Sequence, residues 1–225
     1  MNYQLILASG SPRRRELLKK AGFDFWVVVS DAEESYTEEE PAGIVRELAA
    51  LKAEAVAAEP ELWASPEKEE CGVFPASKDE GVIVLGADTV VSADGQILGK
   101  PKDEEEAKAM IRSIQGRAHE VHTGVCLIRM EQKESGACKE QVSACWNRTA
   151  KTVFSVCTKV HVVPMTEDEI SAYVSCGESM DKAGAYAIQG EFGKYIDFFD
   201  GDYENVIGLP AERVKEELQK LGLNP

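Results

Sequence analysis

Val82-Ile83-Val84-Leu85-Gly86-Ala87-Asp88-Thr89-Val90-Val91 is the stretch on which the fold turns. Its aliphatic, β-branched residues read as a buried strand, and a single carboxylate interrupts it. An ionised carboxylate in apolar surroundings is very unfavourable unless a cation or several donors meet it. Asp88 is therefore expected at a strand end facing a metal or water, with an Asp that caps a turn as the plainer alternative. Ser92-Ala93-Asp94-Gly95 reads as a hairpin turn. The return through Gln96-Ile97-Leu98 to Gly99-Lys100-Pro101 would bring the Lys100 ammonium near that carboxylate.

Outward from this strand, further strand-like runs are expected at 4–8, 25–29, 121–128 and 152–163, with the first buried strand at 82–85. They alternate with helical patterns, which makes the chain α/β. Ser11 and Pro12 open a first helix and Gly22 closes it. A second helix spans 42–58, Asp103 followed by three glutamates opens another, and Thr166 with Glu169 forms a capping box. A last amphipathic helix runs from Ala211 toward Leu221, ahead of Gly222. The stretches 60–81 and 131–148 lack sustained periodicity and read as surface insertions on one domain covering 1–225.

A chain of 225 residues, 44% of them hydrophobic, can bury a sizeable core. Its net charge of -15 opposes any broad phosphate-backbone surface, so no nucleic-acid partner is expected. No stretch is long and apolar enough for a bilayer, and the apolar run at the N-terminus precedes its charges, the wrong order for a secretory signal. The six cysteines show no CxxC pair and no zinc-like spacing with histidine, so free thiols in a reducing cytoplasm are expected. His119 and His122, three apart on a strand, point to opposite faces and receive no joint ligand role.

Three other segments carry chemistry. In Ala8-Ser9-Gly10-Ser11-Pro12-Arg13-Arg14-Arg15 a strand turns into a helix with three arginines in its first turn. Cations there oppose the helix dipole, whereas a bound anion reverses the sign; a basic surface helix and an anion site explain the segment about equally. Lys52 lies in the middle of an apolar stripe bracketed by Val45, Leu48, Ala49 and Val56, so it must snorkel, pair or face a cavity. The segment from Gly177 to Gly190 spaces glycines among polar residues, and Gln189 within it can both donate and accept toward a base edge.

Together these blocks resemble the Maf family of nucleotide pyrophosphatases: SPRRRELL, the acidic cluster ending at Glu34, Lys52-Ala53, GADTVV, ILGKP, HEVHTGV, GESMDKAGAYAIQG and GDYENVIGLP. The resemblance runs from Leu7 to about Leu221. It implies an elongated fold like that of inosine-triphosphate pyrophosphatases, a mixed sheet flanked by helices with a cleft between two lobes. It also implies a nucleoside triphosphate as small-molecule partner, a divalent cation such as Mg2+ or Mn2+, and hydrolysis between the α and β phosphates; it allows a homodimer. Arg13, Thr89 and Gln189 match the subclass acting on dTTP and UTP, against the sister subclass acting on 7-methyl-GTP. The family also contains a rival idea, a nucleotide-binding regulator of cell division without catalysis.

On this resemblance Asp88 is the expected general base and a metal contact, and Glu34 completes the metal site. Arg13, Arg14, Lys52 and Lys100 offset phosphate charge, Ser9 seats the triphosphate, and Thr89 and Gln189 complete the substrate site. The sequence departs from the family at Ser179, in place of proline, at Ala187, in place of glycine, and across 191–194.

Overall fold

Aliphatic and β-branched residues dominate three long runs, and these pair as the spine of the molecule. The structure, a computed structural model, describes residues 2–63, 80–132 and 146–225. In chain order the elements are β1 (Asn2–Leu7), α1 (Pro12–Lys20), β2 (Phe25–Val27), α2 (Pro41–Ala58), β3 (Glu80–Ala93), β4 (Gln96–Leu98), α3 (Glu104–Ile114) and β5 (Ala118–Gln132). Then follow β6 (Trp146–Val162), α4 (Glu167–Ser175), β7 (Ile196–Asp200), α5 (Tyr203–Ile207) and α6 (Ala211–Lys220). One mixed sheet runs β2-β1-β3-β5-β6-β7, with β4 added on β3; β1 is parallel to both neighbours and the other pairings are antiparallel.

Helices cover both faces of the sheet, as expected for the fold class, because alternate residues of β3 point opposite ways. Val82 and Val84 pack with Ala49, Ala53 and Val56 of α2. Ile83, Leu85 and Ala87 pack with Leu17 and Leu18 of α1 and with Val214 and Leu218 of α6. Farther along, Val91, Val121 and Val160 meet Ile111 of α3 and Ile170 of α4. The helix starts follow their sequence signals: Ser11 accepts from Arg14 N, Asp103 from Glu106 N, and Thr166 and Glu169 close a capping box.

The small residues beside Asp88 have a packing cause. A Cβ on Gly86 would stand 2.3 Å from the Ala49 carbonyl, and one on Gly124 would stand 2.1 Å from that of Val45. The α2 backbone therefore lies directly against β3 and β5, an approach that only glycine permits.

Two expectations need correction. Asp88 does not end a strand: it sits inside β3, in register with Gly124, and the strand continues to Ala93. Pairing with β5 carries β3 through the polar position, so the carboxylate meets its cation from within the sheet. The expected insertion at 131–148 also begins later and ends earlier than its irregular sequence implies, since Glu131 and Gln132 pair with Asn147 and Trp146. Trp146 then packs edge-on against Trp63 at 4.9 Å, which anchors the start of the other expected insertion, 60–81. The remainder of both stretches lies outside the described residues. Among those described, no helix is long and apolar enough to cross a membrane.

Candidate active site

The site exists because β3 loses one neighbour before it gains another. β1 ends with Leu7 opposite Leu85, and β3 meets β4 only from Val91, opposite Leu98. Between them, positions 86–90 of β3 form an open edge. A cleft of about 1030 Å³ lies there, lined by Ser9, Arg13, Arg14, Glu34, Lys52, Asp88, Thr89, Lys100 and Gln189, so every residue singled out from the sequence reaches one space. That volume suits a ligand of nucleotide size.

At its floor, Lys52 Nζ donates to Asp88 Oδ1 at 2.5 Å and pairs with Glu34 Oε1 at 2.8 Å. The Lys52 and Asp88 side chains are only 15% and 12% exposed, so neither charge is left to bulk water. Helical side chains tilt toward the helix N-terminus, which lets Lys52 reach back along α2 to the level of Asp88. The lysine in the apolar stripe thus pairs instead of snorkelling. The Lys52 hydrogen bond, working against partial burial, holds the Glu34 carboxyl below the usual glutamate range. Of the acidic segment 31–34, only Glu34 lines the cleft.

Arg14 is wired into the opposite wall. Its Nε donates to Gly208 O at 2.9 Å, Nη1 to Ser9 Oγ at 3.1 Å, and Nη2 to Thr89 Oγ1 at 3.1 Å. Those three bonds leave one N–H on each terminal nitrogen of the five-donor fork. Burial pushes the guanidinium below its ordinary value, partly offset by the Asp88 charge. The network continues inward: Thr89 Oγ1 meets Thr123 Oγ1 at 2.9 Å, and the Thr123 hydroxyl donates to Asn205 O at 2.9 Å. Gly208, at φ 130°, presents the carbonyl that holds Arg14. Sequence reasoning assigned no role to Thr123, Asn205 or Gly208; the GDYENVIGLP block was the signal, but nothing local says that its backbone carbonyls hold an arginine and a threonine.

Ser9 is buried, and its Oγ also accepts from Ser11 N at 3.3 Å, so it braces the turn into α1 as well as Arg14. Gln189 is exposed at the rim. Lys100 lines the cleft but does not contact Asp88, contrary to the expectation from the hairpin; Lys52 holds that position, and the Lys100 charge acts on Glu34 from a distance. Among the described residues neither Arg13 nor Lys100 has an ion pair, so the cleft keeps uncommitted positive charge in a chain of net charge -15.

Comparison with known proteins shows the family. The family model for Maf-like protein matches residues 4–221. A protein of Agathobacter rectalis named dTTP/UTP pyrophosphatase is 43% identical over 98% of this chain and 98% of its own. Proteins of the same name from Lachnoclostridium phytofermentans and Bacillus thuringiensis subsp. konkukian are 40% and 38% identical, covering 99% and 98% of this chain and 97% of each relative. Among solved structures, the Ham1 protein of Staphylococcus aureus aligns over 85% of this chain and 93% of its own at 17% identity and a TM-score of 0.34, too slight a likeness to argue from.

Proposed function

The chain belongs to the Maf-like family, and from that premise we propose that it hydrolyses dTTP and UTP to the nucleoside monophosphate and pyrophosphate. One observation carries the reading: Arg14, Lys52 and Asp88, with the unpaired cations Arg13 and Lys100, converge on a single cleft of an otherwise acidic chain. A polyphosphate is the ligand that gives all of these charges a common purpose. The agreement of Arg13, Thr89 and Gln189 with the dTTP/UTP subclass, and the shared name of the relatives, support the pyrimidine preference over 7-methyl-GTP.

Phosphoryl chemistry asks mainly for positioning and charge stabilisation. The two remaining N–H groups of Arg14 take phosphate oxygens in a fixed plane, while Arg13 and Lys100 balance the charge that builds on the departing pyrophosphate. Lys52 occupies Asp88 Oδ1. Asp88 Oδ2 has no protein partner among the described residues, so it is free to take the proton of a water that attacks the α-phosphorus in line with the leaving group. Gln189, at the rim, reads the edge of the base.

The donor set also fits a cation. Glu34 and Asp88 each place a carboxylate oxygen on the same ammonium, at 2.8 and 2.5 Å, so two hard oxygen ligands already face one cationic position. Mg2+ or Mn2+ bound by these carboxylates would neutralise phosphate charge and polarise the reacting oxygens.

The test measures pyrophosphate and monophosphate from a panel containing dTTP, UTP, CTP and 7-methyl-GTP, with and without Mg2+ or Mn2+. Preferential cleavage of dTTP and UTP is expected. Faster cleavage of 7-methyl-GTP would overturn the subclass, and a folded protein that cleaves nothing would leave a binding regulator in its place.

A further inference from the structure

On the face of the sheet that bears Asp88, outside the cleft, β5 and β6 bring together three side chains far apart in sequence. His122 stands opposite Cys157, with Glu120 two residues away on the same face of β5. The His122 Nε2 lies 3.1 Å from Glu120 Oε2 and 3.6 Å from Cys157 Sγ, and all three ligand atoms lie within 4.8 Å of one another. We propose that Glu120, His122 and Cys157 form a second metal site, selective for a soft divalent cation of the Zn2+ type and independent of the nucleotide cleft.

The geometry separates this reading from a cysteine nucleophile with its base. A relay needs the thiol on one ring nitrogen and the carboxylate on the other. Here both partners converge on Nε2, and Nδ1 is buried without a partner among the described residues. Convergence on one point is what a shared ion requires. With bonds of about 2.0–2.1 Å to nitrogen and oxygen and about 2.3 Å to sulfur, tetrahedral zinc sets ligand separations of about 3.3 Å for N···O and about 3.6 Å for N···S. The observed 3.1 and 3.6 Å come close to both.

The His122 side chain is 9% exposed and fixed by packing, whereas that of Glu120 is 42% exposed and can swing in to close the third separation. Cys157 is exposed, so an ion can enter from solvent, and water completes a four-coordinate shell. On binding, the Cys157 thiol releases its proton to solvent and the neutral imidazole carries its proton on Nδ1, leaving Nε2 to the metal. Because that Nδ1 proton finds no acceptor among the described residues, micromolar affinity is expected, short of a full structural zinc site. Lys159, opposite Glu120, is the neighbouring cation that acts on the thiol.

Zn2+ and Co2+ titrations of the full chain in excess Mg2+ test the site. One equivalent should bind, Co2+ should give a thiolate charge-transfer band, and Zn2+ should raise the melting temperature. Cys157→Ser should weaken binding at least about tenfold and abolish the band, and Glu120→Gln should weaken it too. Cys176→Ser and Asp88→Asn should leave it unchanged. A band that survives Cys157→Ser, zinc binding that is lost in Asp88→Asn, or no binding by the wild-type chain would each overturn the assignment.

Discussion

Behind Arg13 and Arg14, the cleft wall rests on Leu5, Leu7, Leu17, Leu18, Val214 and Leu218, a largely aliphatic interior with Tyr3 packed at its edge. The opposite wall, carrying the segment 178–190, rests on Tyr173, Tyr186, Phe192 and Tyr195. That side also buries polar atoms: His119 Nε2 meets Tyr186 Oη at 2.7 Å, while His119 Nδ1 and Ser179 Oγ have no partner among the described residues. An unmet buried polar atom costs about 1–3 kcal/mol. Ser179 brings one of these where the family pattern has proline. The arginine wall therefore stands on a mainly aliphatic base, and the wall of the Gln189 rim on one whose buried His119 lets acid weaken it.

The largest effect should fall at the seam between the walls. Asp88→Asn preserves shape but removes the charge that Lys52 balances, and turnover on dTTP should fall roughly 100- to 10,000-fold with circular dichroism unchanged. Near wild-type pyrophosphate release would remove Asp88 from the chemistry and leave the seam as packing alone.

The second effect belongs to the aromatic side. Burial, aided by the His161 charge, lowers the His119 pKa from 6.5 to about 4. A histidine whose folded value lies below its unfolded one contributes full stability above the unfolded pKa and loses it as pH falls from 6.5 toward 4. At pH 5 the loss should be about 2 kcal/mol relative to pH 7. Urea unfolding at both values, on wild type and His119→Gln, reads it: the variant should lack this part of the acid loss, and equal losses in the two proteins would erase the contrast between the walls.

The smallest of the three sharpens the arginine side. Lysine cannot make the bonds to Gly208, Ser9 and Thr89 together, so Arg14→Lys should lose about tenfold in kcat/KM. Arg13→Lys, at a residue without those bonds, should lose less. Equal losses would mean that charge alone, without the wiring, sets this wall.

Much of this was legible in the chain. The caps at Ser11, Asp103 and Thr166 announce their helices because a capping residue acts on its own turn. The misplaced ions were legible too, since a carboxylate in an apolar strand and a lysine in an apolar stripe each demand a partner. The identity of the partner was not. Lys100 looked closest to Asp88 along the hairpin, yet Lys52 holds it, because the approach of α2 to Gly86 and Gly124 is a tertiary distance. The same limit hid the meeting of His122 with Cys157, whose 35-residue separation is bridged only by strand register.

Local chemistry, by itself, determined the alternation of strands and helices, the helix starts and which charged groups could not stand alone, because periodicity, capping and desolvation act within a few residues. Only the tertiary structure decided that the edge of β3 stays open between β1 and β4, that Arg14 is locked by Gly208, Ser9 and Thr89, and which cation sits on Asp88. Those outcomes depend on how closely two backbones pack and on the register of paired strands, which involve residues far apart in the chain.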